Sequence, residues 1–138
     1  MIELFDTSAL ILAARQPKAG RVLADALAAD EVALSEPILI EYLNGARNAA
    51  EYDGIDLALR AARMVETTPA DWQQALRVHR ELARSGPGHQ RIVRLPDLII
   101  AAVAAREGLP VVHYDADYDR IAGITGQATR WVIPRGEA

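Results

Sequence analysis

The 138-residue sequence contains no cysteine and only one phenylalanine. Without cysteine there is neither a disulfide framework nor a thiolate metal site, so any metal must be held by oxygen or imidazole. The same absence suits a reducing cytosol. No run of about 18 apolar residues is present, so no membrane-spanning helix is expected. The first residues, Met1-Ile2-Glu3, lack the basic start of a secretory signal, and a cytoplasmic location is the expectation. An excess of positive charge is also missing: 15 Lys and Arg face 19 Asp and Glu, for a net charge of −4. A generally cationic surface for nucleic acid is thereby excluded, and only a local patch could serve. Internal repeats and low-complexity tracts are absent.

What is present is a globular composition, 51% hydrophobic and 25% charged, at a length ordinary for one domain. Residues 1–138 read as a single domain with a polar tail from about 134. Charge is segregated along it. Between Arg77 and Arg94 stand Arg77, Arg80, Arg84, Arg91 and Arg94 against the single acid Glu81, a net +4 that leaves −8 on the remainder. This stretch is either a solvated helix face with a polar loop or a phosphate-binding patch.

Ile2 to Phe5 reads as a short strand that runs through Asp6-Thr7-Ser8 into a helix. Apolar residues then recur at helical spacing over Ala9–Ala14 and again over Val22–Leu27, with Pro17 and Gly20 between. Glu31 to Leu34 predicts a second strand, and Ser35 with Pro37 starts a helix that runs to about Arg47 and carries Glu41. Further helices are expected over Ile55–Met64 and Trp72–Ala83, followed by a loop at Ser85–Gly88. Pro96 introduces Asp97-Leu98-Ile99-Ile100-Ala101-Ala102-Val103-Ala104-Ala105, a helix apolar nearly all round and therefore buried, closed by Gly108. Pro110 to His113 reads as a strand ending at Tyr114-Asp115, and a short helix and a strand over Thr129–Ile133 complete the chain.

Strands alternating with helices imply an α/β fold with a mainly parallel sheet, in which ligands bind beyond the carboxyl ends of the strands. Asp6 and Asp115 fall at that edge, and Asp97 lies in the first turn of a buried helix, where the backbone dipole favours a carboxylate. Taken singly each acid has an ordinary explanation as a cap or a first-turn residue. Burying an unpaired Asp97 ahead of so apolar a run is nevertheless costly, and something should compensate it. Glu41 shares a helical stripe with Asn44 and Asn48, facing either solvent or a polar cleft. Asp115-Ala116-Asp117-Tyr118-Asp119 alternates acids as a calcium loop would, but Arg120 stands where that loop needs glycine and Gly126 where it needs glutamate. A phosphoaspartyl phosphatase loop fits no better, because no threonine follows at Asp119.

Asp6-Thr7-Ser8-Ala9-Leu10, Leu95-Pro96-Asp97-Leu98-Ile99-Ile100-Ala101-Ala102 and His113-Tyr114-Asp115-Ala116-Asp117-Tyr118, in that order and separation, resemble PIN-domain nucleases of the VapC toxin type. Tyr118 stands where such proteins usually carry phenylalanine. The resemblance implies a three-layer α/β/α fold and a site for Mg²⁺ or Mn²⁺ made by Asp6, Glu41, Asp97 and Asp115, with Asp117 as an additional ligand or a supporting acid. It further implies an RNA substrate, a small antitoxin that blocks the cleft, and a homodimer. Asp6 and Asp97 are the expected direct ligands, with Glu41 or Asp115 orienting the attacking water. Arg91 and Arg94, close to Asp97 in sequence, are the expected phosphate contacts. The same oxygen site would also suit a metal-dependent DNA nuclease or phosphatase, and the same fold without chemistry would be an RNA-binding or regulatory module.

Overall fold

The chain's β-forming segments are short, and each of the first four is followed by a helix. In the computed structural model, which describes residues 1–138, the strands are β1 (Glu3–Phe5), β2 (Val32–Ser35), β3 (Arg63–Val65), β4 (Val111–His113) and β5 (Thr129–Trp131). Between them run α1 (Thr7–Ala13), α2 (Pro17–Ala28), α3 (Glu36–Leu43), α4 (Ala49–Leu59), α5 (Pro69–Ser85), α6 (Leu95–Glu107) and α7 (Asp117–Thr125), with a 3₁₀ turn at His89–Arg91. All strands pair in parallel in the order β3-β2-β1-β4-β5. Parallel neighbours need crossovers, and the helices that supply them cover both sheet faces, giving the expected three-layer α/β/α arrangement.

The core lies between these layers. Leu4, Phe5, Leu34, Val111 and Val112 from the sheet are fully or almost fully buried against Ile38 of α3, Ile100 and Val103 of α6 and Ile121 of α7. Burying each such large side chain contributes roughly 1.5–3 kcal/mol. No helix is long and apolar enough to cross a membrane.

Two expectations are corrected. The helix predicted over Ile55–Met64 lies earlier, at Ala49–Leu59, and its last residues become β3 at the sheet edge. Asn48 accepts from the Glu51 N–H at 2.8 Å and so starts that helix one turn after α3 has ended. The helix carrying Glu41 therefore stops at Leu43 rather than Arg47, and Glu41, Asn44 and Asn48 do not share one helix face.

The long buried helix α6 is fixed at its C-terminal end. At its C-terminus Gly108 adopts φ 68°, a left-handed cap that a side chain would strain. In the last turn, Arg106 donates through Nε to Asp71 Oδ1 at 2.8 Å and through Nη2 to the Glu66 carbonyl at 2.7 Å. Asp71 also accepts from the Thr68 N–H and hydroxyl, closing a capping box on α5. Burial pulls the Asp71 pKa upward, but the Arg106 and Thr68 bonds outweigh it and hold the carboxyl below its ordinary value. These ties fix α6, and with it the height at which Asp97 meets the sheet edge.

Candidate metal centre

The sheet order reverses direction at β1, whose neighbours are β2 on one side and β4 on the other. At such a switch point the crossovers leave to opposite faces and open a crevice beyond the strands' carboxyl ends. Asp6 is the first residue after β1, and Tyr114-Asp115 are the first after β4. Two bonds lock the strand exits together: the Asp6 N–H donates to the Val112 carbonyl at 2.9 Å, and the Tyr114 N–H donates to Ser8 Oγ at 2.9 Å.

Asp6 both caps a helix and faces the crevice. Its Oδ2 accepts from the Ser8 N–H at 2.9 Å and the Ser8 hydroxyl at 2.6 Å, starting α1. Its Oδ1 accepts from the Tyr118 hydroxyl at 2.6 Å. Asp97 comes up from the first turn of α6, 1% exposed, with Oδ2 buried and without a partner. Glu41, from the last turn of α3, accepts from Thr7 Oγ1 at 3.1 Å and from Arg94 Nη2 at 2.7 Å. Asp115 Oδ1 accepts from the Asp117 N–H at 2.9 Å, turning the chain into α7. Asp117 accepts from the Arg94 N–H at 2.9 Å and from Arg120 Nη1 at 3.0 Å.

The five acids form two overlapping sets that share Asp97. Oxygens of Asp6, Glu41 and Asp97 all lie within 4.8 Å of one another, as do those of Asp97, Asp115 and Asp117. So many carboxylates in a poorly solvated crevice disfavour one another's ionisation. The Asp97 pKa is pushed up to about 9, first by burial, then by the Asp117 carboxyl, to which only protonated Asp97 can donate, and by the charges of Asp6, Asp115 and Asp117. Burial also raises Asp115, with the neighbouring acids adding to the effect and Arg94 opposing it. The buried Tyr118 hydroxyl is held well above its usual value, first by desolvation and then by Asp6 and Asp97. Arg94 is raised despite its desolvation, because Asp97, Glu41 and Asp115 surround it.

A hard divalent cation fits this donor set. All the donors are oxygen, those of each set lie within 4.8 Å of one another, and a cation at the unpartnered Asp97 Oδ2 would supply the compensation that a buried acid calls for. Of the arginines singled out in sequence, Arg94 reaches the crevice through Glu41, while Arg91 is an exposed residue of the 3₁₀ turn. Arg77 and Arg84 on α5 are engaged by Gln74 and Glu81 of their own helix. Asp119 is exposed and belongs to neither acid set. Three contributors were not anticipated from the sequence: Thr7, Arg120 and the Tyr118 hydroxyl. Only Tyr118 carried a signal, as a polar ring in a position that prefers an apolar one.

Residues 4–124 match the PIN domain family model. The chain is 41% identical to Ribonuclease VapC18 of Mycobacterium tuberculosis over 99% of its own length and 98% of the relative's. It is 38% identical to Ribonuclease VapC51 of the same organism, over 96% and 94%. Among solved structures, VapBC2 from Rickettsia felis bound to a promoter DNA fragment superposes with a TM-score of 0.74 at 18% identity, covering 95% of this chain and 98% of the other, a likeness of fold. VapBC-5 from M. tuberculosis gives 0.62 at 28% identity, over 94% and 96%. An acid-lined crevice at the switch point of a parallel sheet and whole-length kinship to VapC ribonucleases lead to one assignment: the chain belongs to the PIN domain family.

Proposed function

We propose that the protein is a Mg²⁺-dependent endoribonuclease, with Mn²⁺ as a substitute, acting as the toxin of a toxin–antitoxin pair in the cytoplasm. The observation that carries this reading is the pair of overlapping carboxylate sets that share Asp97, whose Oδ2 is buried without a partner. Kinship to ribonucleases over the whole chain supports RNA as the substrate.

Asp6 and Asp97 would hold the cation, with Glu41, Asp115 and Asp117 around it. A bound divalent cation supplies Lewis acidity, lowering the pKa of water at the site and offsetting negative charge that grows on the phosphate. Glu41 and Asp115, at the rim and half-buried, are placed to accept a hydrogen bond from the attacking water and so orient it. Arg94, 60% exposed at the side chain, would exchange Glu41 for an RNA phosphate oxygen as substrate enters. With cation, the purified chain should cleave structured RNA and spare duplex DNA and phosphomonoesters. Activity should vanish on chelation and return with Mg²⁺ or Mn²⁺. Cleavage that survives chelation, or preference for DNA, would refute the assignment.

Replacing Arg91 and Arg94 together by alanine should weaken RNA binding and reduce the slope of log affinity against log salt by about 1.4, the value for two phosphate contacts on single-stranded nucleic acid. An unchanged slope, measured by fluorescence anisotropy, would remove both residues from the RNA track.

An apolar trough of about 690 Å³ adjoins the crevice, and Glu41 lines both. Ile40, Trp72 and Leu95 present exposed apolar surface along it. Such a patch supports a protein partner. VapB–VapC assemblies among the structural neighbours support a small antitoxin as that partner, covering the trough and the acidic crevice together. A homodimer of the toxin is also proposed.

A further inference from the structure

Tyr118 is fully buried, and its hydroxyl lies between two carboxylates that come from distant parts of the chain. It is 2.6 Å from Asp6 Oδ1 and 3.3 Å from Asp97 Oδ1. A phenol has one hydrogen. The shorter contact marks Asp6 as the group that receives it, which leaves no phenol hydrogen for Asp97. Asp6 is then held at both oxygens, by Ser8 on Oδ2 and by Tyr118 on Oδ1. Its carboxylate cannot rotate without breaking a buried hydrogen bond. Asp97, by contrast, meets only the phenol oxygen at Oδ1 and is offered no donor at Oδ2. The His113 ring packs on the Tyr118 ring with centroids 5.0 Å apart, fixing where the hydroxyl sits.

We propose that the Tyr118 hydroxyl is a positioning group for the divalent cation. It fixes Asp6 in a ligating orientation, and by committing its only hydrogen there it leaves Asp97 to be satisfied by the cation. Phenylalanine at this position would fill the same space and do neither. The inference rests on the cation-site reading above.

Calorimetric titration with Mn²⁺ of the native chain, Tyr118→Phe and Asp97→Asn tests it, with circular dichroism to show that each variant is folded. Tyr118→Phe should bind Mn²⁺ about tenfold more weakly, the lower end of the loss when a group orienting a metal ligand is removed. Asp97→Asn should lose measurable binding. Binding by Tyr118→Phe within twofold of native, while Asp97→Asn fails to bind, overturns the role of Tyr118 alone. No binding by the native chain overturns the cation site and this inference with it. A spectroscopic arm does not require Tyr118 to be changed. With Tyr42, Tyr52 and Tyr114 replaced by phenylalanine, Mn²⁺ should still produce a near-ultraviolet tyrosine difference band, since the one remaining phenol touches a ligand. A variant that binds Mn²⁺ and shows no band overturns the proposal.

Discussion

Asp97→Asn should lower RNA cleavage by about a thousandfold and, at the same time, raise the thermal stability of the metal-free protein. The first effect follows from the position of Asp97 in both carboxylate sets. Losing the ligand would forfeit roughly 4 kcal/mol of the several that a metal contributes to transition-state charge stabilisation, and each 1.36 kcal/mol is tenfold in rate. The second effect follows from burial. Asp97 is held in a crevice whose other acids oppose its charge, and its carboxyl resists ionisation up to about pH 9. Asparagine keeps the shape, cannot ionise when the chain unfolds as the aspartate does, and can donate to Asp117. A gain of at least about 1 kcal/mol is expected, roughly 3 °C in Tm for a chain of this size. The opposite signs make the test demanding. A variant that loses both activity and stability would mean that Asp97 is a structural residue, and one that retains cleavage would mean that the cation is held elsewhere.

Mg²⁺ or Mn²⁺ should raise the melting temperature, and the rise should grow with pH. In the unfolded chain Asp97 ionises near pH 4, whereas in the folded, metal-free protein it holds its proton to about pH 9. Between those values the folded state binds more protons than the unfolded one, so metal-free stability falls as pH rises through the window. Asp115, also raised, adds in the same direction. A cation binds the ionised form and opposes this loss. At a cation concentration a hundredfold above Kd the gain is about 2.7 kcal/mol, or roughly 10 °C. Differential scanning fluorimetry from pH 6 to 9, with and without cation, should show metal-free and metal-loaded curves that diverge toward high pH. Parallel curves, or the same divergence in Asp97→Asn, would contradict the assignment of Asp97 as the titrating ligand.

The elements most legible in the sequence were those with strong local signals. Leu98 to Ala104 could only be a buried helix, and Pro96 and Gly108 marked its two ends. The strands before Asp6 and Asp115 were legible for a related reason, since apolar β-formers ended at polar capping residues. β3 was not legible. Three residues, Arg63, Met64 and Val65, carry too little periodicity to stand out from the helical pattern before them, and only pairing with β2 makes them a strand. The boundary between α3 and α4 was misplaced for a similar reason. Ala46 and Arg47 suit a helix, and the break depends on Asn48 capping the next one.

The candidate site was legible as a set of residue types and much less so as a geometry. Asp6, Asp97 and Asp115 could be picked out from their placement at strand exits and a helix start, and Glu41 and Asp117 from the order that the family resemblance implies. Arg94 could be picked out as a charge near Asp97, but its ion pair with Glu41 spans 53 residues of sequence, a separation over which local pattern carries no information. Tyr118 read as a conservative exchange for phenylalanine, because ring packing is what a sequence pattern conveys. Its hydroxyl matters only because β1 and α6 bring Asp6 and Asp97 to the same point.

By itself the sequence determined an all-oxygen set of donors, a buried helix opening on an acid and a parallel α/β layer fold, since each follows from residue chemistry and short-range spacing. The tertiary structure alone decided that the acids form two sets sharing Asp97, that one oxygen of Asp97 is left without a partner, and that the Arg94 guanidinium and the Tyr118 phenol face them. Those depend on the crossover at the sheet's switch point, which brings together side chains from residues 6, 41, 97, 115 and 117, and no local pattern encodes distances between them.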